Sequence, residues 1–121
     1  MPIESPDGKT VLYLLRQDPV EIWSVPARGG PSVRVTGPTL QFPGAFTVTS
    51  DGIYYGAPPH SDEERFIRFF SFRTGQSAPV VVAKHRFHIG ISVSPDSRYI
   101  LFDQYDESGS DLMLVENFRP Q

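Results

Sequence analysis

Three histidines and two acidic stretches are the side chains best suited to chemistry, and their spacing limits what they can do. His85-Arg86-Phe87-His88 sets two imidazoles three residues apart. A helix would bring such a pair onto one metal ion, but in a strand residues three apart point to opposite faces. The neighbouring residues are strand formers, so this segment reads as a connection entering a strand. His60-Ser61-Asp62-Glu63-Glu64 offers nitrogen and oxygen ligands, yet it follows Ala57-Pro58-Pro59 and lacks the alternation of a calcium loop. It reads as a solvated hairpin tip. Its length makes His60, Asp62 and Glu63 candidate partner contacts, since recognition tends to sit on loops carried by a rigid frame. The segment 103–111 carries four carboxylates, Asp103, Asp106, Glu107 and Asp111. Their spacing departs from the Asp-x-Asp-x-Asp-Gly template, so a structural hairpin is expected, with Asp106 and Glu107 as a second candidate contact loop.

Nucleophilic chemistry finds no support. Ser5, Ser50 and Ser94 sit in turns, and no Gly-x-Ser-x-Gly elbow surrounds any of them. There are no cysteines, which excludes disulfides and thiolate metal sites but does not decide a compartment. No motif asks for a cofactor, and no metal site is expected. Arg65, Arg68 and Arg73 alternate with Phe66, Phe69, Phe70 and Phe72 in a pattern a single-stranded nucleic acid would suit. A net charge of −3 with scattered basic residues argues instead for a strand edge with solvated arginines. No apolar run approaches the ~18 residues of a membrane span, so membrane insertion by this segment is not expected. Met1–Pro6 has neither the basic nor the apolar region of a signal peptide, and the compartment stays open.

These residues hang on a repeat. Ser5-Pro6-Asp7-Gly8 precedes the apolar run Val11–Leu15, Thr49-Ser50-Asp51-Gly52 precedes Ile53–Tyr55, and Ser94-Pro95-Asp96-Ser97 precedes Tyr99–Phe102. Aspartates at positions 7, 51 and 96 give periods of 44 and 45 residues. Short strands repeating every 40–45 residues are the mark of a β-propeller blade, roughly four strands each. Twelve prolines and ten glycines leave no room for a long helical period.

Strands are expected at Val11–Leu15, Glu21–Val25 and Ser32–Thr36; at Ala45–Thr49, Ile53–Gly56, Phe66–Phe72 and Ala78–Ala83; and at Ile89–Ser94, Tyr99–Asp103 and Asp111–Glu116. In the aspartate turns, proline presets φ, the carboxylate bonds backbone amides, and Gly8 or Gly52 takes the left-handed position. Ser97 replaces that glycine after Asp96, which predicts strain of ~1 kcal/mol. A second glycine turn, at Gly29-Gly30 and again at Gly75, should lead into the outermost strand. Trp23, Phe70 and Met113 are expected at equivalent positions in the third strands, packing between blades.

The strand count predicts an all-β segment of about two and a half four-stranded antiparallel blades. Residues 1–121 form one partial propeller with repeats near 1–38, 39–84 and 85–121. On this reading the first blade lacks its first strand and the third its last. That places the chain at the C-terminal end of a larger ring, either cut from a longer protein or begun at an internal start.

Ser5-Pro6-Asp7-Gly8-Lys9 with Glu21-Ile22-Trp23-Ser24-Val25-Pro26 and Gly29-Gly30 resembles the blades of TolB-type or WD-repeat-like bacterial propellers. Ser94-Pro95-Asp96-Ser97-Arg98 resembles them with the glycine lost, and the ending 106–118 resembles the C-terminus of propellers in large bacterial proteins, notably from acidobacteria. In those proteins the propeller follows a winged-helix DNA-binding domain or a serine/threonine kinase domain. The resemblance implies a non-catalytic sensor or protein-interaction module of a regulatory protein, and the acidic pI of about 5.5 fits a soluble protein on either side of a bacterial inner membrane. Nothing in residues 1–121 matches the DNA-binding or kinase parts. The alternatives are a segment supporting a prolyl-oligopeptidase-like hydrolase, or a short chain closing a ring with its own copies. Two copies would supply about five blades and three about eight, both within the range propellers use.

Overall fold

A computed structural model describes residues 2–39, 45–57, 65–83, 87–106 and 109–116, with backbone alone at 65, 83, 87–89, 103–106 and 109–111. Eleven strands form three antiparallel sheets, and no helix occurs among the described residues. The first sheet is β1 (Ile3–Glu4), β2 (Thr10–Leu15), β3 (Glu21–Pro26) and β4 (Val33–Thr36). The second is β5 (Phe46–Val48), β6 (Gly52–Ala57), β7 (Arg65–Ser71) and β8 (Ser77–Ala83). The third is β9 (Phe87–Val93), β10 (Tyr99–Asp106) and β11 (Gly109–Glu116). Strands follow one another in sheet order, as in propeller blades. The first strands approach each other, β1 beside β5 and β5 beside β9, so they lie nearest the axis.

No sheet has a core of its own. Alternation along each strand sends one set of side chains to the preceding blade and the other to the next. Leu12 and Ile22 of the first blade meet Phe46, Ile53, Tyr55 and Ala57 of the second. Tyr54, Ile67 and Val81 on the other face of the second blade meet Ile91, Ile100 and Phe102 of the third. This explains why every residue of β6 is buried: it is sandwiched on both sides. Each fully buried Leu, Ile or aromatic side chain contributes ~1.5–3 kcal/mol, so burial between blades holds the array together.

The first blade's opening strand and the second aspartate turn need correction. The first blade does not lack its first strand: Ile3 pairs with Leu12 and Glu4 with Val11. Two residues fall below the length that marks a strand in sequence, but the adjoining turn fixes their register and seats Ile3 against the interblade core. Among the described residues the strand counts are therefore four, four and three. Secondly, Gly52 is not a left-handed turn residue. Positive φ occurs at Gly8 (72°) and Ser97 (60°), but not at Gly52.

The turns differ because their lengths differ. The first and third hairpins close between Glu4 and Val11 and between Val93 and Ile100. The second closes between Val48 and Ile53, two residues shorter. In the long form, Ser5 Oγ donates to Asp7 Oδ1 at 2.6 Å, and the Lys9 amide donates to the same oxygen at 2.9 Å. Thr10 N donates to Ser5 Oγ at 3.1 Å, and Gly8 N to Ser5 O at 2.9 Å. Ser94, Asp96, Ser97, Arg98 and Tyr99 repeat the arrangement bond for bond. The short form has only Ser50 and Asp51 between Thr49 and Gly52, with Thr49 N donating to Gly52 O at 2.8 Å.

The short turn shifts the equivalences that follow it. Val11, Ile53 and Ile100 are the second members of the closing pairs, so Tyr13, Tyr55 and Phe102, two residues on, correspond. Their third-strand partners are Trp23, Arg68 and Met113. Phe70, expected at that position, stands two residues further along β7, and an arginine takes its place.

Candidate binding surfaces

One end of the sheets carries the aspartate turns and the glycine hairpins. Gly29 (φ 93°) and Gly75 (φ 70°) close the latter, with Gly29 N donating to Pro26 O and Gly75 N to Ser71 O. Between the first two blades, Ser5, Pro6, Asp7, Thr49, Ser50 and Phe72 line an open hollow of about 370 Å³. Phe72 is 45% exposed at its edge. The Ser5 hydroxyl and the Lys9 amide hold the Asp7 carboxyl below its ordinary range, and the Ser94 hydroxyl and Arg98 amide do the same for Asp96. These carboxylates are occupied in holding turns, and among the described residues no cluster of three metal-binding side chains forms.

His60, Asp62, Glu63 and Glu107 lie outside the described residues, and Asp106 is described by its backbone alone. Ala57, Arg65, Asp106 and Gly109, which flank those segments, lie at the end opposite the aspartate turns. The acidic stretch from Asp103 is mostly strand rather than loop, running as a ladder from Asp103↔Leu112 to Asp106↔Gly109. His85 and Arg86 are likewise outside the described residues, and Phe87 and His88 begin β9.

Three of the four phenylalanines in the arginine–phenylalanine stretch turn inward rather than offering a stacking face. Phe66 and Phe70 pack into the core between the first and second blades. Phe69 faces the other core, its ring 4.6 Å from that of Tyr54. Arg68 turns along its own sheet: Nε donates to Ser77 Oγ at 3.0 Å and Nη2 to Ser77 O at 3.1 Å. Ser77 Oγ is 2.6 Å from the hydroxyl of Tyr55, which is 3.3 Å from Thr36 Oγ1 on the first blade. These groups line a cleft of about 290 Å³ between the first two blades, completed by Gly37, Pro38, Ala57 and Phe66. Tyr55 is only 2% exposed, so its hydroxyl depends on these protein partners. Sequence reading missed this network because it assigned the Trp23 position in the second blade to Phe70.

Two surfaces are apolar and, among the described residues, face no blade. On the third blade Leu112 (66% exposed), Leu114 (60%) and Leu101 project away from the second. On the first blade Tyr13 and Trp23, with Val11 and Val25, are half-buried on the face turned away from the second. There Glu21 accepts from Trp23 Nε1 and from Arg34 Nε, and the guanidinium above all holds its carboxyl below the ordinary range.

No protein-family model and no curated protein matches the chain. Solved structures do. TolB from Acinetobacter baumannii superposes with a TM-score of 0.75 at 17% identity, covering 96% of this chain and 29% of that one. A protein described as a TolB from Agrobacterium tumefaciens gives 0.73 at 19% identity, covering 93% and 40%. The fold is that of TolB-type propeller blades. The chain therefore spans well under half the length of either TolB chain. Identities this low speak for fold alone, and the three sheets account for it: each copies the strand order of a blade and leaves its ends to neighbours.

Proposed function

We propose that this chain is a non-catalytic interaction segment of a β-propeller protein, and that its first partners are further propeller blades. One observation carries the reading. The outward faces of the first and third blades repeat the apolar character of the buried blade faces, with Trp23 and Tyr13 at one end and Leu101, Leu112 and Leu114 at the other. A face built from the residues that fill the internal interfaces is suited to the same kind of partner. The coverage of the two TolB chains supports this, since most of their length is additional to the segment that superposes. On this reading residues 1–121 are one partial propeller unit, and recognition of another protein falls to the loops at the ends of the ring. The resemblance of the repeats to those of bacterial regulators favours a regulatory parent, either a winged-helix protein or a kinase.

The two open faces also suit a second copy, the leucine face of one chain meeting the Trp23 face of the next. Such a contact is head-to-tail, giving a closed ring if the rotation closes and a filament if it does not. Sedimentation of the 121-residue chain over a hundredfold concentration range tests the exposed-face reading. Association that rises with concentration, and is abolished by Leu112→Glu with Leu114→Glu, is expected. A monomer at every concentration, melting cooperatively, would show that the faces need no partner and would overturn it.

A further inference from the structure

We propose that the cleft between the first two blades, at Arg68, binds a small carboxylate attached to an apolar body. The cleft exists because of a substitution within the repeat. The position that holds Trp23 in the first blade and Met113 in the third holds Arg68 in the second. Met113 packs against an interblade core, whereas Arg68 bends along its own sheet to Ser77 and leaves about 290 Å³ beside it. Packing alone would favour a large apolar side chain there.

What lines the space is rich in donors. Among the described residues no carboxylate pairs with Arg68; the one ion pair joins Arg34 to Glu21. Its Nε and one Nη2 hydrogen are used on Ser77, which leaves the Nη1 hydrogens and the second Nη2 hydrogen for a ligand. Thr36, Tyr55 and Ser77 form a run of three hydroxyls joined by two contacts. Three protons serve two links, so one hydroxyl proton is also available. A guanidinium with a hydroxyl donor nearby and, among the described residues, no carboxylate paired to it matches a ligand carboxylate, which accepts from both at once. Phe66, Ala57 and Pro38 supply the apolar wall, and with Arg68 as the one charged residue among the described lining they favour a monoanion having some hydrocarbon over a multiply charged phosphate.

The ligand carboxylate has two sources, a free small acid or the terminus of a docking peptide. Benzoate and N-acetylphenylalanine represent them. Each is titrated into the 15N-labelled 121-residue chain while the Arg68 side-chain Nε–H and the amides of Thr36, Ala57 and Ser77 are followed. Binding with a dissociation constant on the order of millimolar is expected for at least one, as suits fragments of this size. The tighter of the two identifies the source. Benzamide, equal in shape and uncharged, should bind at least tenfold more weakly, and inorganic phosphate likewise. Arg68→Gln should weaken benzoate at least tenfold. Should that variant lose its dispersed spectrum, Arg68→Lys keeps the charge without the planar fork and should weaken it at least threefold. Shifts confined to the Leu112–Leu114 or Trp23 faces would overturn the assignment. So would equal binding of benzamide or phosphate, or indifference to both variants.

Discussion

Replacing Gly52 by alanine separates two explanations of a repeated glycine. At Gly8 the residue is required by backbone conformation, with φ at 72°. At Gly52 the backbone is ordinary and the requirement is space. A Cβ there would fall on the Phe70 carbonyl oxygen, far inside contact distance, and 2.7 and 2.8 Å from two carbons of the Phe69 ring. Relaxed carbon–carbon contact begins near 3.5 Å, so the ring would have to withdraw by ~0.7–0.8 Å. It has little room, since its centroid lies 4.6 Å from that of the fully buried Tyr54. Moving the ring does not relieve the clash with the Phe70 carbonyl, so β6 must also part from β7 at Gly52↔Ser71. Overpacking of this kind costs ~1–3 kcal/mol, and a lost backbone hydrogen bond about 1 kcal/mol more, giving ~2–4 kcal/mol in total. Urea unfolding followed through Trp23, the only tryptophan, measures it. Gly75→Ala is the control: φ there is 70° with nothing within 4 Å of the new methyl, so only conformational strain of ~1–2 kcal/mol is expected. If Gly52→Ala unfolds within ~0.5 kcal/mol of the parent at an unchanged slope, the close approach of Phe69 and Phe70 is not what selects glycine.

Ser97→Gly should stabilise the chain. Relief of a left-handed serine is worth ~1–2 kcal/mol and the added freedom of glycine in the unfolded chain offsets ~0.4–1, leaving about 0.5–1 kcal/mol in thermal melts. Tyr55→Phe removes the hydroxyl that joins Thr36 to Ser77 across the two blades and should cost ~1–2 kcal/mol in urea unfolding, while Tyr13→Phe, on the outward face, should cost less. Acid should loosen the long turns. The Asp7 and Asp96 carboxyls are held below their ordinary values, so their contribution is complete above the unfolded pKa and lost as pH falls through the folded one, below about pH 4. Melts from pH 6 to pH 2.5 should decline less steeply for an Asp7→Asn, Asp96→Asn double variant than for the parent. Parallel declines would mean that the turn carboxylates do not set acid sensitivity.

The blade period was legible in sequence because its markers are local. An aspartate followed by glycine or serine, and then a β-branched or aromatic run, acts through bonds spanning no more than five residues, as Ser5–Thr10 and Ser94–Tyr99 show. The all-β class and most of the strands followed from those markers alone. Register did not. Asp51 reads like Asp7, but its hairpin is two residues shorter, and only pairing reveals this. β1 was invisible for a related reason, being two residues whose strand character comes wholly from their partners Leu12 and Val11.

Spacing thus determined by itself that the chain is a row of propeller blades, since the aspartate turns that mark the period are local motifs. What each face does was decided only in three dimensions. A strand's two faces meet different neighbours, and composition does not say which neighbour is present. Leu12 and Leu114 are the same residue type on corresponding faces of their blades, yet one is 2% and the other 60% exposed because a further blade covers only the first. The Arg68 cleft belongs to the same category. It arises where a shifted register brings an arginine, three hydroxyls and a proline from two different blades around one space.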